Sequence, residues 1–382
     1  MAKTRTKPGK PRRNFPLFPH QNGQWAKKIK GKQYYFGPWS DPEGSEAKYL
    51  AQREYLQAGR TPPQVSDGCR IVDLVNRFLT VKQAMVDSQE LSPRSFLDYF
   101  RCCENIISHF ERERLVSDIR VEDFERYRIK LGKVRGLSAI GVQVTVCRMV
   151  FRFAFENELI DRPVRFGQHF KRPSKKALRL DRARKQQQHG LKMFEAAELR
   201  TILDAASDPL RAMVYLGVNG GLGASDLAEL TDSSITHGWL DFPRVKTGIP
   251  RRIPLWPETI EAIKSASLSR PKARDDVRSD LLFITKYGRP WVRTGPSGTS
   301  NIDKIADAFA KLLKALGLKR QGVGFYALRH TFETIAGGSG DQVAVDAIMG
   351  HVNDDMASLY RERIDDSRLT AVSDRVRDWL FG

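Results

Sequence analysis

Gly324-Phe325-Tyr326-Ala327-Leu328-Arg329-His330-Thr331-Phe332, then Asp341-Gln342-Val343-Ala344-Val345-Asp346-Ala347-Ile348-Met349-Gly350-His351, then Tyr360 nine residues on: this stretch decides how the chain is read. Leu328, Phe332 and Ile335 recur at helical spacing and predict one helix over 327–336. The run Gly337-Gly338-Ser339-Gly340 stops it, and Asp341 is placed to cap a second helix. Gly350 can take the left-handed conformation in which helices end. Arg329 therefore sits on a helix near a loop, His351 just past a helix end, and Tyr360 after a short polar turn. A guanidinium, an imidazole and a phenol, each suited to a phosphodiester, are presented from element ends.

Singly, such residues are surface charges or packed rings. In this order and spacing they resemble the C-terminal signature of the tyrosine recombinases, the phage integrase family. The carriers are the Leu-Arg-His-Thr block at 328–331, the Gly-His step at 350–351 and the tyrosine nine residues later. The resemblance implies a mainly α fold with small antiparallel β elements, ending in a recombinase-like catalytic domain. It also implies a reaction on double-stranded DNA without metal or other cofactor. An anionic phosphodiester needs an aligned nucleophile, cations for the developing charge, and an acid for the leaving oxygen. By resemblance Tyr360 is the nucleophile, forming a 3′-phosphotyrosyl bond that stores the energy needed for resealing. Arg329 holds a non-bridging oxygen, Lys246 in the Lys246-Thr247-Gly248 turn protonates the departing 5′ oxygen, and His351 donates to the phosphate.

Two family positions are altered. Val214 to Leu227 resembles the first catalytic block, but its arginine falls on Gly223, and the histidine three residues before Arg329 is Tyr326. Tyr326 can hydrogen-bond phosphate or the nucleophile but is a poor proton acceptor at neutral pH. Arg211, Arg251, Arg252, Arg289 and Arg293 are near enough in sequence for one to substitute at the Gly223 position, and sequence does not choose among them. Three readings stand: a divergent site-specific recombinase or integrase, a DNA-binding protein with weak or lost cleavage on the same scaffold, and a type IB topoisomerase.

Charge placement points the same way. The net charge of the 382-residue chain is +19. Residues 1–60 carry 13 Lys and Arg against 4 Asp and Glu, and residues 167–190 carry 8 against 1, so these two stretches hold most of the excess. Such concentration predicts clamps on a nucleic-acid backbone, although charge alone leaves a ribosomal or membrane-surface role open. In the first, aromatics alternate with Lys27, Lys28, Lys30 and Lys32 around Asn22-Gly23 and Lys30-Gly31, predicting a small meander, with a helix over 45–59. This resembles the arm-type DNA-binding module of integrases. The second, with Lys171, Arg172, Lys175 and Lys176, reads as an extended interdomain linker touching phosphates.

Between them, helices are predicted over 71–84, from Ser92-Pro93 to Phe110, over 121–131, and from a Ser138 cap onward. Such a unit resembles the family's core-binding (SAM-like) domain. The expected organisation is an arm module over 1–60, the core-binding domain over 68–166, the linker over 167–190 and the catalytic domain over 191–382. In the last, helices are expected over 258–266 and 301–316, with strands around Trp239 and Arg252. No run of ~18 apolar residues predicts a membrane span, the basic N-terminus lacks a secretory pattern, and the cysteines read as buried free thiols of a reducing cytoplasm. The family further implies a tetramer on paired DNA sites, a mobile-element setting, and accessory factors that bend DNA or set direction.

Overall fold

The structure is a computed structural model that describes residues 7–59, 68–295, 301–351 and 362–382. It is mainly helical, with three small antiparallel sheets and three hydrophobic cores.

The first core lies under a meander of β1 (Phe18–His20), β2 (Gln24–Ile29) and β3 (Lys32–Pro38), covered by helix α1 (Pro42–Gln57). The β2–β3 turn puts Lys30 and Gly31 at φ 47° and 80°, the left-handed pair that a two-residue hairpin requires. Trp25, Phe36, Tyr49 and Leu56 pack beneath it.

The second core is built by α2 (Ile71–Asp87), α3 (Pro93–Phe110), α4 (Val121–Val134) and α5 (Leu137–Glu156). Ser92 caps α3 ahead of Pro93 as the sequence predicts. The fourth helix begins one residue before Ser138, because extended Gly136 accepts from Ile140 N and Leu137 turns onto the core. Rings of Phe110, Phe124, Phe151 and Phe170 meet at centroid separations of 5.1–5.3 Å. Helix α5 is long and apolar enough to cross a bilayer, a property the residue-by-residue reading passed over; half of that window is buried against the other helices. Cys102, Cys103 and Cys147 are buried free thiols, and burial pushes Cys102 and Cys103 up to about 11 and about 12.

The stretch after this core departs from expectation. Phe170 belongs to the second core, and 175–189 is not extended: it forms helix α6 (Lys175–His189). Ser174 caps it by accepting from Ala177 N, and its Lys, Arg, Leu, Ala and Gln residues are strong helix formers. None of its residues is buried.

The third core is the largest. Helix α8 (Asp208–Gly220) runs through it, between α10 (Pro257–Leu268) and α12 (Ala327–Ala336). Gly217 permits this closeness: a Cβ there would stand 2.8 Å from Leu328 Cδ1. Around them lie α7 (Ala196–Ala205), α9 (Ala224–Glu229), α11 (Lys304–Ala315), α13 (Gln342–Met349) and α14 (Asp366–Phe381). A sheet of β4 (Ile235–Thr236), β5 (Trp239–Asp241) and β6 (Arg252–Pro254) flanks the core. The helix expected over 301–316 starts at Lys304: residues 301–303 are instead strand β8 (Asn301–Asp303), paired with β7 (Val292–Thr294), and the Asp303 side chain caps α11. Fully buried Asn219 ties three elements together through Pro254 O, Trp256 N, Thr259 Oγ1 and Ser373 Oγ, at 2.9–3.0 Å.

Candidate nucleic-acid strand-transfer site

Arg329 projects from the first turn of α12 into the third core and is 3% exposed. Its Nη1 donates to Gly221 O at 2.7 Å and its Nη2 to Met349 O at 2.8 Å. Both acceptors are carbonyls at helix ends, α8 and α13, which have no partner within their own helices. Gly221 and Gly350 adopt φ 65° and 62° there, the left-handed turn that frees those carbonyls. The arginine thus joins the C-terminal ends of α8 and α13. Burial first, then Arg244 and Arg251 nearby, pull its pKa down to about 10, against Tyr326 and Asp226; at neutral pH it stays charged.

His351 follows Gly350 and is half-buried. Its Nδ1 lies 3.2 Å from Asp346 Oδ1 and 3.9 Å from Glu333 Oε2. One donor atom from each of these three residues lies within 4.8 Å of the others, a spacing that would also admit a cation. Gln342 Nε2 already bridges Glu333 Oε1 and Asp346 Oδ1 at 3.2 and 3.0 Å, so the carboxylates hold protein donors and orient the imidazole. Tyr326 stands at the start of α12, 57% exposed, its ring edge-on to His330 at 5.3 Å. Burial, then Lys192, Arg329 and Arg182 of α6, lower the His330 pKa.

Lys246 is exposed at the tip of the β5–β6 hairpin, which turns through Arg244 N–H to Ile249 O at 2.8 Å and Gly248 N–H to Arg244 O at 2.8 Å. The same hairpin brings Arg244 Nη1 to within 3.1 Å of Gly350 O and Thr247 Oγ1 to within 3.4 Å. Lys246 is thereby mounted next to the Gly350-His351 step. Tyr360 lies outside the described residues. A cleft of about 780 Å³ is lined by Phe242, Ile249, Arg251, Ala347, His351 and Arg363, among others.

Of the predicted DNA-contacting cations, Lys28, Lys30 and Lys32 are exposed on the meander, and Lys171, Arg172, Lys175 and Lys176 on and before α6. Lys27 is turned inward, donating to Pro16 O at 2.7 Å. A second groove, of about 730 Å³, joins Lys171 and Arg172 to Lys82, Arg148 and Arg152. Those last three are missed by a reading that takes α2 and α5 for their apolar stripes alone. Arg244 is missed too, although it lies two residues before Lys246.

The fold is shared with solved integrases and a site-specific recombinase. A lambda integrase tetramer bound to a Holliday junction matches with TM-score 0.56 at 18% identity, over 93% of this chain and 98% of that one. The Tn1549 transposon integrase in complex with a circular-intermediate DNA matches with TM-score 0.55 at 15% identity, over 80% and 99%. The XerH recombinase bound to its difH substrate matches with TM-score 0.51 at 15% identity, over 73% and 79%. No curated protein sequence matches the chain. Residues 192–366 match the model of the phage integrase family.

Proposed function

We propose that the protein is a site-specific recombinase, an integrase that cuts and rejoins duplex DNA through a covalent 3′-phosphotyrosyl intermediate. The carrying observation is the surplus of cations around Arg329. Arg329, Arg244 and Arg251 crowd one place, with Asp226 paired to Arg251, and His351 adjoins it with its own carboxylates, Asp346 and Glu333. Buried positive charge in excess of its counter-charge favours a bound anion, and a DNA phosphate is the anion this fold accommodates. In the proposed step the Tyr360 phenol oxygen, its proton passing to solvent, attacks phosphorus and the P–O5′ bond breaks. Lys246 gives a proton to the departing 5′ oxygen, and a second 5′ hydroxyl later reverses the exchange. Arg329 and His351 bear on the non-bridging oxygens, and Tyr326 offers a hydroxyl at the rim.

The exposed cations of the meander and α6 fit phosphate-backbone contacts that are weakened by salt. On this reading residues 1–60 are an arm module, 68–166 a core-binding domain, 167–190 a basic connection and 191–382 the catalytic domain. The active form would be a tetramer on paired sites in the cytoplasm. Gly223 favours a second reading, binding without cleavage, because one guanidinium of the family's pair is missing from its usual place. The test is incubation with attachment-site DNA and a denaturing gel. A protein–DNA adduct that vanishes in Tyr360→Phe supports the recombinase. Tight binding with no adduct supports the second reading, and relaxation of supercoiled plasmid of any sequence would point to a topoisomerase.

A further inference from the structure

Four of the five candidates for the missing guanidinium are now separable. Arg211 is engaged at the end of α7, donating to Leu203 O and Ala206 O at 2.9 and 2.8 Å. Arg252 is paired on the surface with Asp241 and Asp366 at 2.7 and 2.9 Å. Arg293 donates to Pro290 O at 3.2 Å. Arg251 differs from all of these. Its side chain is fully buried, and its Nη1 donates to Asp226 Oδ2 at 3.3 Å. Its Nη2, 3.3 Å from Asp226 Oδ1, lacks hydrogen-bond geometry to any acceptor among the described residues.

Asp226 fixes where this guanidinium sits. The same Oδ2 accepts the Gly223 N–H at 3.1 Å, and Oδ1 accepts the Val245 N–H at 3.1 Å. Arg251 is therefore one carboxylate away from the backbone of Gly223. Position 223 is open: its φ is −94°, and a Cβ there would meet Asp226 Oδ2 at an ordinary 3.7 Å. A Cβ on Gly350 would run into Arg251 Cδ at 2.9 Å and Arg244 Cβ at 3.0 Å, so both arginines lie against the Gly350-His351 step. Arg251 and His351 line one cleft, and Arg251 is no deeper than Arg329, the arginine of the signature itself.

Resting on the strand-transfer reading, we infer that Arg251, supported by Arg244, contacts the scissile phosphate and supplies from the β5–β6 hairpin the second cation that Gly223 does not. The positive charge then stands in the β5–β6 hairpin, and Asp226 joins it to the Gly223 backbone.

The test uses the full chain, a duplex selected by binding from a random pool, and the same duplex carrying single methylphosphonates, which remove the charge of one phosphate. Arg251→Gln should slow adduct formation about 100-fold or more, the effect of losing one donor to a developing oxyanion. The deficit should shrink to within about tenfold when the scissile linkage is a methylphosphonate, a rescue that a merely structural arginine would not give. Gly223→Arg in the Arg251→Gln protein should restore cleavage, and it guards against simple misfolding of the single variant. Arg251→Lys, which keeps a charge facing Asp226, provides a second folded comparison and should still lose at least tenfold. Adduct formation by Arg251→Gln and Arg251→Lys at wild-type rates overturns the inference and leaves the strand-transfer reading intact. An equal deficit on both linkages overturns it likewise. If the wild type forms no adduct, binding decides. Methylphosphonate interference at one phosphate that Arg251→Gln erases upholds the contact while the strand-transfer reading falls; interference unchanged in the variant overturns the contact.

Discussion

Helix α6 and the cluster around Arg329 carry positive charge in opposite ways. The helix displays six Lys and Arg with one Asp, buries nothing, and lets water solvate its charges. The cluster holds guanidiniums inside the largest core, where each must be matched by a carbonyl, a carboxylate or an anion still to arrive. The first can be changed freely and sets how strongly a polyanion is attracted. The second is part of the fold, so its chemistry and its stability cannot be separated.

That contrast can be broken by experiment. Asp226→Ala leaves Arg251 without its counter-charge and frees two backbone N–H groups, and should destabilise the protein by about 3–5 kcal/mol. A thermal or urea transition close to wild type would show that the cluster is not integral to the fold. Arg329→Ala orphans the carbonyls of Gly221 and Met349 and should cost about 2–4 kcal/mol in the same measurement, besides abolishing any adduct. Joint replacement of Lys175, Lys176, Arg179 and Arg182 by Gln should leave stability within about 0.5 kcal/mol. The slope of log affinity for DNA against log salt should fall by roughly 0.9 for each phosphate no longer neutralised, up to about 3.6. An unchanged slope would mean that α6 does not touch the backbone.

The smallest effect concerns a carboxylate at the second core. Burial would raise the Asp123 pKa, but hydrogen bonds from Arg114, Arg120 N–H and Arg126 outweigh it and hold it at about 2. Because the folded value is depressed, its contribution is complete above the ordinary carboxylate range near pH 4. It is lost as pH falls toward 2. Asp123→Asn should lower the melting temperature at pH 7 by a few degrees and flatten its fall across that acid window. A variant retaining the wild-type acid slope would assign the slope to other carboxylates.

The signature helices were legible because local rules fixed them: Asp341 caps α13 and Gly350 ends it, as their positions predict. The meander and the four-helix unit were legible for the same reason. Helix α6 was not, because a dense run of charge reads as extended chain, while the helix-forming side chains beneath the charge decide otherwise. Arg251 was nameable only as one of five. What sets it apart is a partner 25 residues away, and no spacing within the sequence reports that contact. Arg244 was invisible for a like reason, its carbonyl partner lying 106 residues further on.

Gly350 has one more consequence. Its carbonyl is gripped by Arg244 and Thr247, residues that flank Lys246, and the polypeptide leaves Gly350 toward Tyr360. The Lys246 hairpin is thus pinned to the carbonyl of the Gly350-His351 step, so a shift of one carries the other.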